Sequence, residues 1–187
     1  MTDSSLRAWK TLSTRTILAH SKFLTVESHT IQLPDGSVIE DWPWIIIPSA
    51  AIVLASTADR RFLCFRQTKY AVEGTSLAPV GGMLEPGEAP LEAAKRELSE
   101  ETGYESPQWI HLGDYKVDPN RGVAVMHLFY ARQARKVRQP SSDDLEDQQL
   151  LKLSIAELEE ALHSGEFRVL AWATVVAMAL LHERRAN

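Results

Sequence analysis

Cysteine and basic tracts are scarce in this chain. Cys64 is the only cysteine among 187 residues, so no intrachain disulfide is possible. The formal net charge is −5, and lysine and arginine form no tract, so we expect no nucleic-acid partner bound through its phosphates.

Long apolar runs are missing as well. Residues 1–5 lack the apolar core of a signal peptide. The most apolar stretch, residues 169–181, falls short of the roughly 20 residues that cross a bilayer, so it predicts a buried C-terminal helix instead. We therefore expect a cytoplasmic protein with no membrane partner.

The chain length fits one domain with a small appendage. Short β-prone runs fill residues 13–46, with turn chemistry at residues 34–36. They predict a small antiparallel β segment over residues 1–46. Residues 47–187 combine predicted strands with a glycine-initiated helix and further helices near the end. This order of elements predicts an α/β fold, an α/β/α sandwich on a mixed sheet.

The most informative part of the sequence is residues 82–103, which contain three closely spaced glutamates. Glu97, Glu100 and Glu101 are at positions i, i+3 and i+4, so in a helix their carboxylates lie on one side. Like charges at that distance repel, and a cation is the natural compensation. Hard divalent ions prefer carboxylate oxygen, so the spacing predicts a magnesium site.

Two residues mark the ends of the predicted helix. Pro90 suits the first helical turn, where its missing N–H is not needed, and Gly103 suits the left-handed residue just past a helix end. The alternative is an acidic helix that merely faces solvent. That alternative explains neither the glycine turn before the helix nor Arg96 inside it.

The same segment resembles the Nudix box, Gly-x5-Glu-x7-Arg-Glu-U-x-Glu-Glu-x-Gly-U, where U is a bulky apolar residue. Its fixed positions are filled by Gly82, Glu88, Arg96, Glu97, Leu98, Glu100, Glu101 and Gly103. The last U is Tyr104, an aromatic in place of the usual aliphatic residue. The resemblance implies the Nudix fold and hydrolysis of a nucleoside diphosphate linked to another moiety.

The resemblance also implies a metal site for Mg²⁺, with Mn²⁺ as a substitute. Glu97 and Glu101 would be the principal ligands, Glu100 would join a further ion, and the carbonyl of Gly81 would contribute. Glu100 and Arg96 would also serve catalysis.

We interpret Arg96 as an ion-pair strut to Glu88 that holds the loop against the helix. Gly82 and Gly87 would let the loop backbone fold tightly.

The whole chain resembles the ADP-ribose and nucleoside-diphosphate-sugar pyrophosphatases of that family. The N-terminal β segment is one reason, and Lys69 takes the place of an arginine in that group's Gln-Tyr-Arg strand end. Pro119 follows Gly103 by 16 residues, the spacing of ADP-ribose-preferring members, although an ordinary turn proline would look the same. Ala78 replaces a glutamate often seen in these enzymes, which leaves the sugar open.

In that group the general base lies in an acidic loop beyond the box. Here Glu146 matches best and Asp144 is its rival, while a plain solvated loop is the alternative. Phe23 and Trp42 match aromatics that sandwich adenine in related homodimers, one from each subunit. Core packing of both rings is the alternative, and Trp44 is a substitute for Trp42.

Four functions remain open at this point, and the N-terminal segment makes one of them, a sanitiser of oxidised nucleoside triphosphates, the least favoured. The first is magnesium-dependent hydrolysis of a small nucleotide substrate, ADP-ribose, to AMP and ribose 5-phosphate. The second is a GDP-mannose or ADP-glucose pyrophosphatase. The third is a Nudix module that senses nucleotides without cleaving them, although such modules typically lack box glutamates that this chain keeps. A homodimer, implied by the resemblance, would also cover the exposed edges of the small β segment.

Overall fold

A computed structural model describes residues 6–141 and 147–186 of the chain. The chain forms two compact units, Met1–Pro48 with Lys116–Val125, and Ser49–Tyr115 with Met126–Asn187. The second segment of the smaller unit joins through backbone pairing, because the N–H of Ile45 donates to the carbonyl of Arg121 at 2.9 Å. The predicted boundary at residue 46 leaves out residues 116–125, which also belong to the smaller unit, and it stays a prediction.

The smaller unit is an antiparallel sheet of three strands in the order β1-β2-β3. Their bounds are β1 Lys10–His20, β2 Leu24–Gln32 and β3 Val38–Ile46. The turn between β2 and β3 has Gly36 at φ 91°, a left-handed conformation that glycine adopts without strain. Every residue of β1 is exposed.

The larger unit contains a mixed sheet of eight strands. Their bounds are β4 Ala50–Thr57, β5 Phe62–Lys69, β6 Val72–Ala78, β7 Val80–Met83, β8 Tyr104–Glu105, β9 Gln108–Lys116, β10 Val125–Lys136 and β11 Gln148–Leu153. The main path is β11-β5-β4-β10-β8, while β6 pairs with β5, β7 with β4 and β9 with β10. β4 and β10 run parallel, and β4 runs antiparallel to β5 and β7.

The core of the larger unit forms around β4. Every residue from Ala51 to Thr57 is buried although successive side chains point to opposite faces, so both faces of this strand are covered. The helices of this unit are α1 Pro90–Glu97, α2 Ile155–His163 and α3 Leu170–Ala186. Both α1 and α3 contact β4. The predicted mixed sheet with helices on it, and the small antiparallel N-terminal sheet, are therefore confirmed.

Local signals explain where the helices begin. α2 starts at a capping box in which the N–H of Glu157 donates to Ser154 Oγ at 3.2 Å and the N–H of Ser154 donates to Glu157 Oε2 at 2.7 Å. Pro90 occupies the first turn of α1. Within the two described ranges, no helix has the length and apolarity needed to span a bilayer.

Candidate active site

The candidate site is built from β7, the loop after it and the helix that follows. α1 does not continue as an α-helix through the glutamates, because residues Leu98–Thr102 form a π-helical turn. Gly103 ends that turn at φ 74°. The predicted start at Pro90 and end before Gly103 are both present, but the helix is π-helical rather than α-helical at Glu100 and Glu101. That the three carboxylates share one side stays a prediction. The inserted π turn carries Glu100 and Glu101 and is typical of functional sites.

Arg96 is the centre of the contacts in this segment. Its Nε and Nη2 donate to Oε1 and Oε2 of Glu88, both at 2.9 Å, which is a bidentate pair. Its Nη1 donates to Glu97 at 2.7 Å and to Glu100 at 3.2 Å. Its Nη2 also donates to the carbonyl of Met83 at 3.1 Å. One guanidinium therefore joins the end of β7, the loop and the helix.

Glu88 holds the loop as well as the arginine. Its Oε2 accepts the backbone N–H of Glu85 at 2.9 Å, and its side chain is only 15% exposed. The hydrogen bonds from Arg96 lower the pKa of Glu88 below its ordinary value. The hydrogen bonds to Glu88, followed by those to Glu97 and Glu100, raise the pKa of Arg96 further above its already high value. Both groups stay charged at neutral pH.

Two glycines bring the strand β7 close to two of the glutamates. A Cβ on Gly82 would overlap the carboxylate of Glu97, so a larger residue there would displace that carboxylate. The N–H of Gly81 donates to Oε2 of Glu101 at 3.3 Å. Since β7 is fixed to β4 through the pairs of Gly81 with Ile52 and Gly82 with Ala51, both carboxylates lie against a rigid strand.

The donor set fits a hard divalent cation. Glu88, Glu97, Glu100 and Glu101 carry four negative charges against the one positive charge of Arg96, an excess of three. Within residues 6–141 and 147–186, no three acidic, histidine or cysteine side chains are grouped so that they could hold a metal ion by themselves. Mg²⁺ does not require such a group, because it keeps several waters and takes one or two carboxylates together with substrate phosphates.

The predicted general base, Glu146, falls outside the described residues, as does its rival Asp144. The chain just before them is described, and it lies against the π turn. The N–H of Ser141 donates to the carbonyl of Glu100 at 2.8 Å, and Nε of Arg138 donates to Oγ of Ser99 at 3.0 Å. The role of Glu146 therefore stays a prediction.

Trp42 and the turn that contains Pro119 come together within the smaller unit. Nε1 of the half-buried Trp42 donates to the carbonyl of Asn120 at 2.8 Å, and Trp9 contacts the Trp42 ring edge-on with centroids 5.4 Å apart. No local sequence pattern indicates the contacts with Trp9 and Asn120, because they join distant parts of the chain.

The remaining predicted substrate residues have contacts of their own. Trp44 stacks on His29 with centroids 4.9 Å apart, and a Cβ on Gly122 would overlap its ring. Its role as a substitute for Trp42 stays a prediction. Phe23 is exposed beside the turn between β1 and β2, with Nζ of Lys22 at 5.2 Å from its ring centre. Lys69 is the half-buried last residue of β5 in the larger unit.

Comparison with known proteins identifies the family. Residues 46–173 match the NUDIX domain, which is more than half of the chain. The chain belongs to the Nudix hydrolase family. Residues 9–45 of this Nudix hydrolase match the Nucleoside diphosphate sugar hydrolase N-terminal domain.

Individual relatives resemble this Nudix hydrolase over most of its length. A methanol dehydrogenase activator of Bacillus methanolicus is 28% identical over 178 residues, covering 95% of this chain and 94% of that protein. An ADP-ribose pyrophosphatase of Bacillus subtilis (strain 168) is 26% identical over 159 residues, covering 85% and 84%. A crystal structure of an ADP compounds hydrolase superposes with a TM-score of 0.81 over 98% of both chains at 21% identity, which shows the fold.

The ion pair between Arg96 and Glu88 leads to a prediction about the stability of this Nudix hydrolase. Glu88→Gln should lower the free energy of unfolding at pH 7 by about 1.5–3 kcal/mol, the range for a hydrogen bond to a charged group. Because the pKa of Glu88 is lowered in the folded state, the Glu88 charge contributes its full stabilisation above the unfolded-state pKa of about 4.3. This stabilisation is lost as the pH falls through the lower pKa of the folded state. Urea unfolding between pH 7 and pH 3 measures both effects.

Glu85→Gln is the matched control for that experiment, because Glu85 is exposed in the same loop and its replacement removes the same charge. The difference between wild type and Glu88→Gln should narrow at acid pH. If the loss of unfolding free energy in Glu88→Gln were the same at every pH, or equal to the loss in Glu85→Gln, the Glu88 charge would have no role in stability.

Proposed function

We propose that this protein hydrolyses the pyrophosphate bond of ADP-ribose or a related nucleoside diphosphate sugar with Mg²⁺ as cofactor, releasing AMP or another nucleoside monophosphate and a sugar phosphate. The observation that carries the proposal is the pair of carboxylates, Glu97 and Glu101, held against the glycines of β7. The match of residues 9–45 to a nucleoside diphosphate sugar hydrolase N-terminal domain favours a nucleotide sugar over a triphosphate. The relative named ADP-ribose pyrophosphatase supports the same substrate class.

Glu97, Glu101 and the carbonyl of Gly81 would hold the cation, with Glu100 at its side. When bound, it would neutralise the pyrophosphate oxygens and lower the pKa of the attacking water. Arg96 would hold the carboxylates of Glu97 and Glu100 in place and would not contact the substrate. Its guanidinium is already bound to Glu88 and to the Met83 carbonyl. It would act as a positioning residue.

The proton of the attacking water needs an acceptor. As the water oxygen bonds to phosphorus and the bridging P–O bond breaks, a carboxylate would take that proton. We propose Glu146 for this role, with Asp144 as the second choice. The hydrogen bond from Ser141 to the carbonyl of Glu100 supports it, because it brings the start of the acidic segment to the box.

The metal role of Glu101 gives the first test of the function. Glu101→Gln should reduce kcat on ADP-ribose by about 10²-fold or more, because it removes a charged ligand, while the melting temperature should stay close to that of wild type. A phosphatase-coupled assay over ADP-ribose, ADP-glucose, GDP-mannose and dinucleotides, with and without Mg²⁺, measures the loss and ranks the substrates.

The same assay separates the hydrolase from its alternative, a Nudix module that binds nucleotides to regulate a partner. This alternative is supported by the relative that is named a methanol dehydrogenase activator and matches this chain over nearly its whole length. A regulatory module without turnover would show no magnesium-dependent product from any substrate in wild type. Near-normal turnover by Glu101→Gln would instead refute the metal assignment.

We further propose that Trp42 and Phe23 hold the adenine, one from each subunit, and that Lys69 and Pro119 contact the substrate. The hydrogen bond from Trp42 Nε1 to Asn120 fixes the indole orientation, and its position next to Pro119 supports a shared role. Base–aromatic stacking is worth about 1–3 kcal/mol, so an oriented ring has a measurable share in binding.

Trp42→Ala should therefore raise KM for ADP-ribose roughly tenfold and lower kcat much less. Steady-state kinetics checks the ratio, and a melting curve shows whether the fold is kept. Trp44→Phe is the control, because it retains an aromatic ring at the packing position beside Gly122. An unchanged KM together with a lower melting temperature would assign Trp42 to packing.

The exposure of β1 supports the proposed homodimer. All eleven residues of this edge strand are exposed. Its pairing with β2 skips Leu12 and Ile17, so the strand has a β-bulge at each of these residues. Bulges redirect side chains, and here the skipped residues are apolar, with Ile17 59% exposed. A second copy of the chain would cover this surface.

A cytoplasmic location stays a prediction.

Ile17→Lys should convert the dimer to a monomer, which light scattering after gel filtration would detect as a halved mass. Thr14→Lys is the matched control, because it adds the same charge to an exposed polar position of the same strand. A wild-type monomer, or an unchanged mass for Ile17→Lys, would argue against assembly through β1.

A further inference from the structure

The larger unit contains a polar cavity that is far from the box glutamates. It measures about 240 Å³ and lies between the end of β4, the turn after it, β10 and α3. Its wall includes Ser56, Arg60, Tyr130, Arg132, Gln133 and Glu183. Gly82 pairs with Ala51, and the cavity begins at Ser56, five residues further along β4. At about 3.3 Å per residue the two sites are roughly 17 Å apart.

Glu183 supplies a buried negative charge at the base of this cavity. The residue is only 4% exposed, so its charge requires compensation. Nη2 of Arg60 and Nε of Arg132 each lie 3.3 Å from one of its oxygens. Two guanidiniums against one carboxylate leave the cavity with an excess of one positive charge.

Two hydroxyl groups of the wall, those of Ser56 and Tyr130, form a chain of hydrogen bonds that ends on Glu183. Burial raises the pKa of Tyr130 to about 12, so its phenol keeps its proton at neutral pH and donates it to Glu183 Oε1 at 2.9 Å. Ser56 must then donate to the Tyr130 oxygen, which lies 2.8 Å away. These protons are therefore not available to a ligand, and the donors that remain belong to the arginines and Gln133.

Each guanidinium has donors to spare, since it carries five N–H groups and uses one nitrogen on Glu183. Within the described ranges, Arg60 and Arg132 make no other hydrogen bond or ion pair through their side chains. The side chain of Arg60 is 55% exposed, so the cavity can be reached from solvent.

The backbone around the cavity adopts an uncommon conformation at two places. Arg60 and Gln133 both have φ of 58°, which residues other than glycine rarely adopt. The register between β10 and β4 shifts after Ala131, so a bulge carries Arg132 and Gln133. Left-handed residues and bulges often re-aim side chains at binding sites, and here both re-aim polar side chains into one cavity.

We propose that this cavity binds a small phosphate-bearing anion, either inorganic phosphate or a small sugar phosphate, at a site separate from the hydrolytic one. Guanidinium forks match phosphate oxygens, and the excess positive charge favours an anion. The volume lies below the range of about 300–1,000 Å³ for drug-sized ligands, so a complete nucleotide sugar does not fit. The site does not depend on the proposed hydrolase reaction.

Titration calorimetry of the full chain with inorganic phosphate and with ribose 5-phosphate tests the proposal. The experiment uses the Glu101→Gln variant in metal-free buffer, so that the box does not contribute. Arg60→Gln should weaken binding roughly tenfold, as expected for the loss of a charge-assisted hydrogen bond. Arg61→Gln is the matched control, because Arg61 lies in the same turn but contacts the carbonyl of Lys152 and Glu157 instead.

Binding of both compounds assigns the site to the phosphate group, and binding of ribose 5-phosphate alone assigns it to a sugar phosphate. Arg132→Lys, which keeps the charge but loses the fork, should bind with intermediate strength and protects the test if Arg60→Gln is unstable. Equal affinities in the Arg60→Gln and Arg61→Gln variants would mean an adventitious ion only. That result, or no binding of either compound at millimolar concentration, overturns the proposal.

Discussion

The candidate active site depends on one guanidinium shared by three carboxylates. Arg96 contacts Glu88, Glu97 and Glu100, and through Met83 it also contacts the end of β7. Without this cation the loop and the helix would repel each other. With it, the segment still carries excess negative charge, which is the condition for holding a dication. Arg96 thus determines both the shape of the site and its electrostatic potential.

Most of the candidate site could be predicted from the sequence because its determinants are local. Pro90 and Gly103 mark the helix ends through backbone chemistry that each residue carries by itself. The close approach of Gly82 to Glu97 follows from the fixed spacing between strand and helix. The π turn was not predictable, because residue preferences do not distinguish a π turn from an α turn.

Contacts between distant parts of the chain could not be predicted. Trp42 and Asn120 are 78 positions apart, and no spacing rule joins them. The cavity around Glu183 is similar, since its wall comes from β4, β10 and α3. The left-handed conformations of Arg60 and Gln133 leave no mark in the sequence either, because tertiary contacts rather than residue type impose them.

The π turn also has a consequence for how the box tolerates change. One extra residue in a turn shifts the angular phase of everything after it by about 100° relative to an uninterrupted α-helix. Arg96 and Glu97 precede the π turn, whereas Glu100 and Glu101 lie within it. An insertion or deletion between them would rotate one pair away from the other, even if every side chain of the motif were kept.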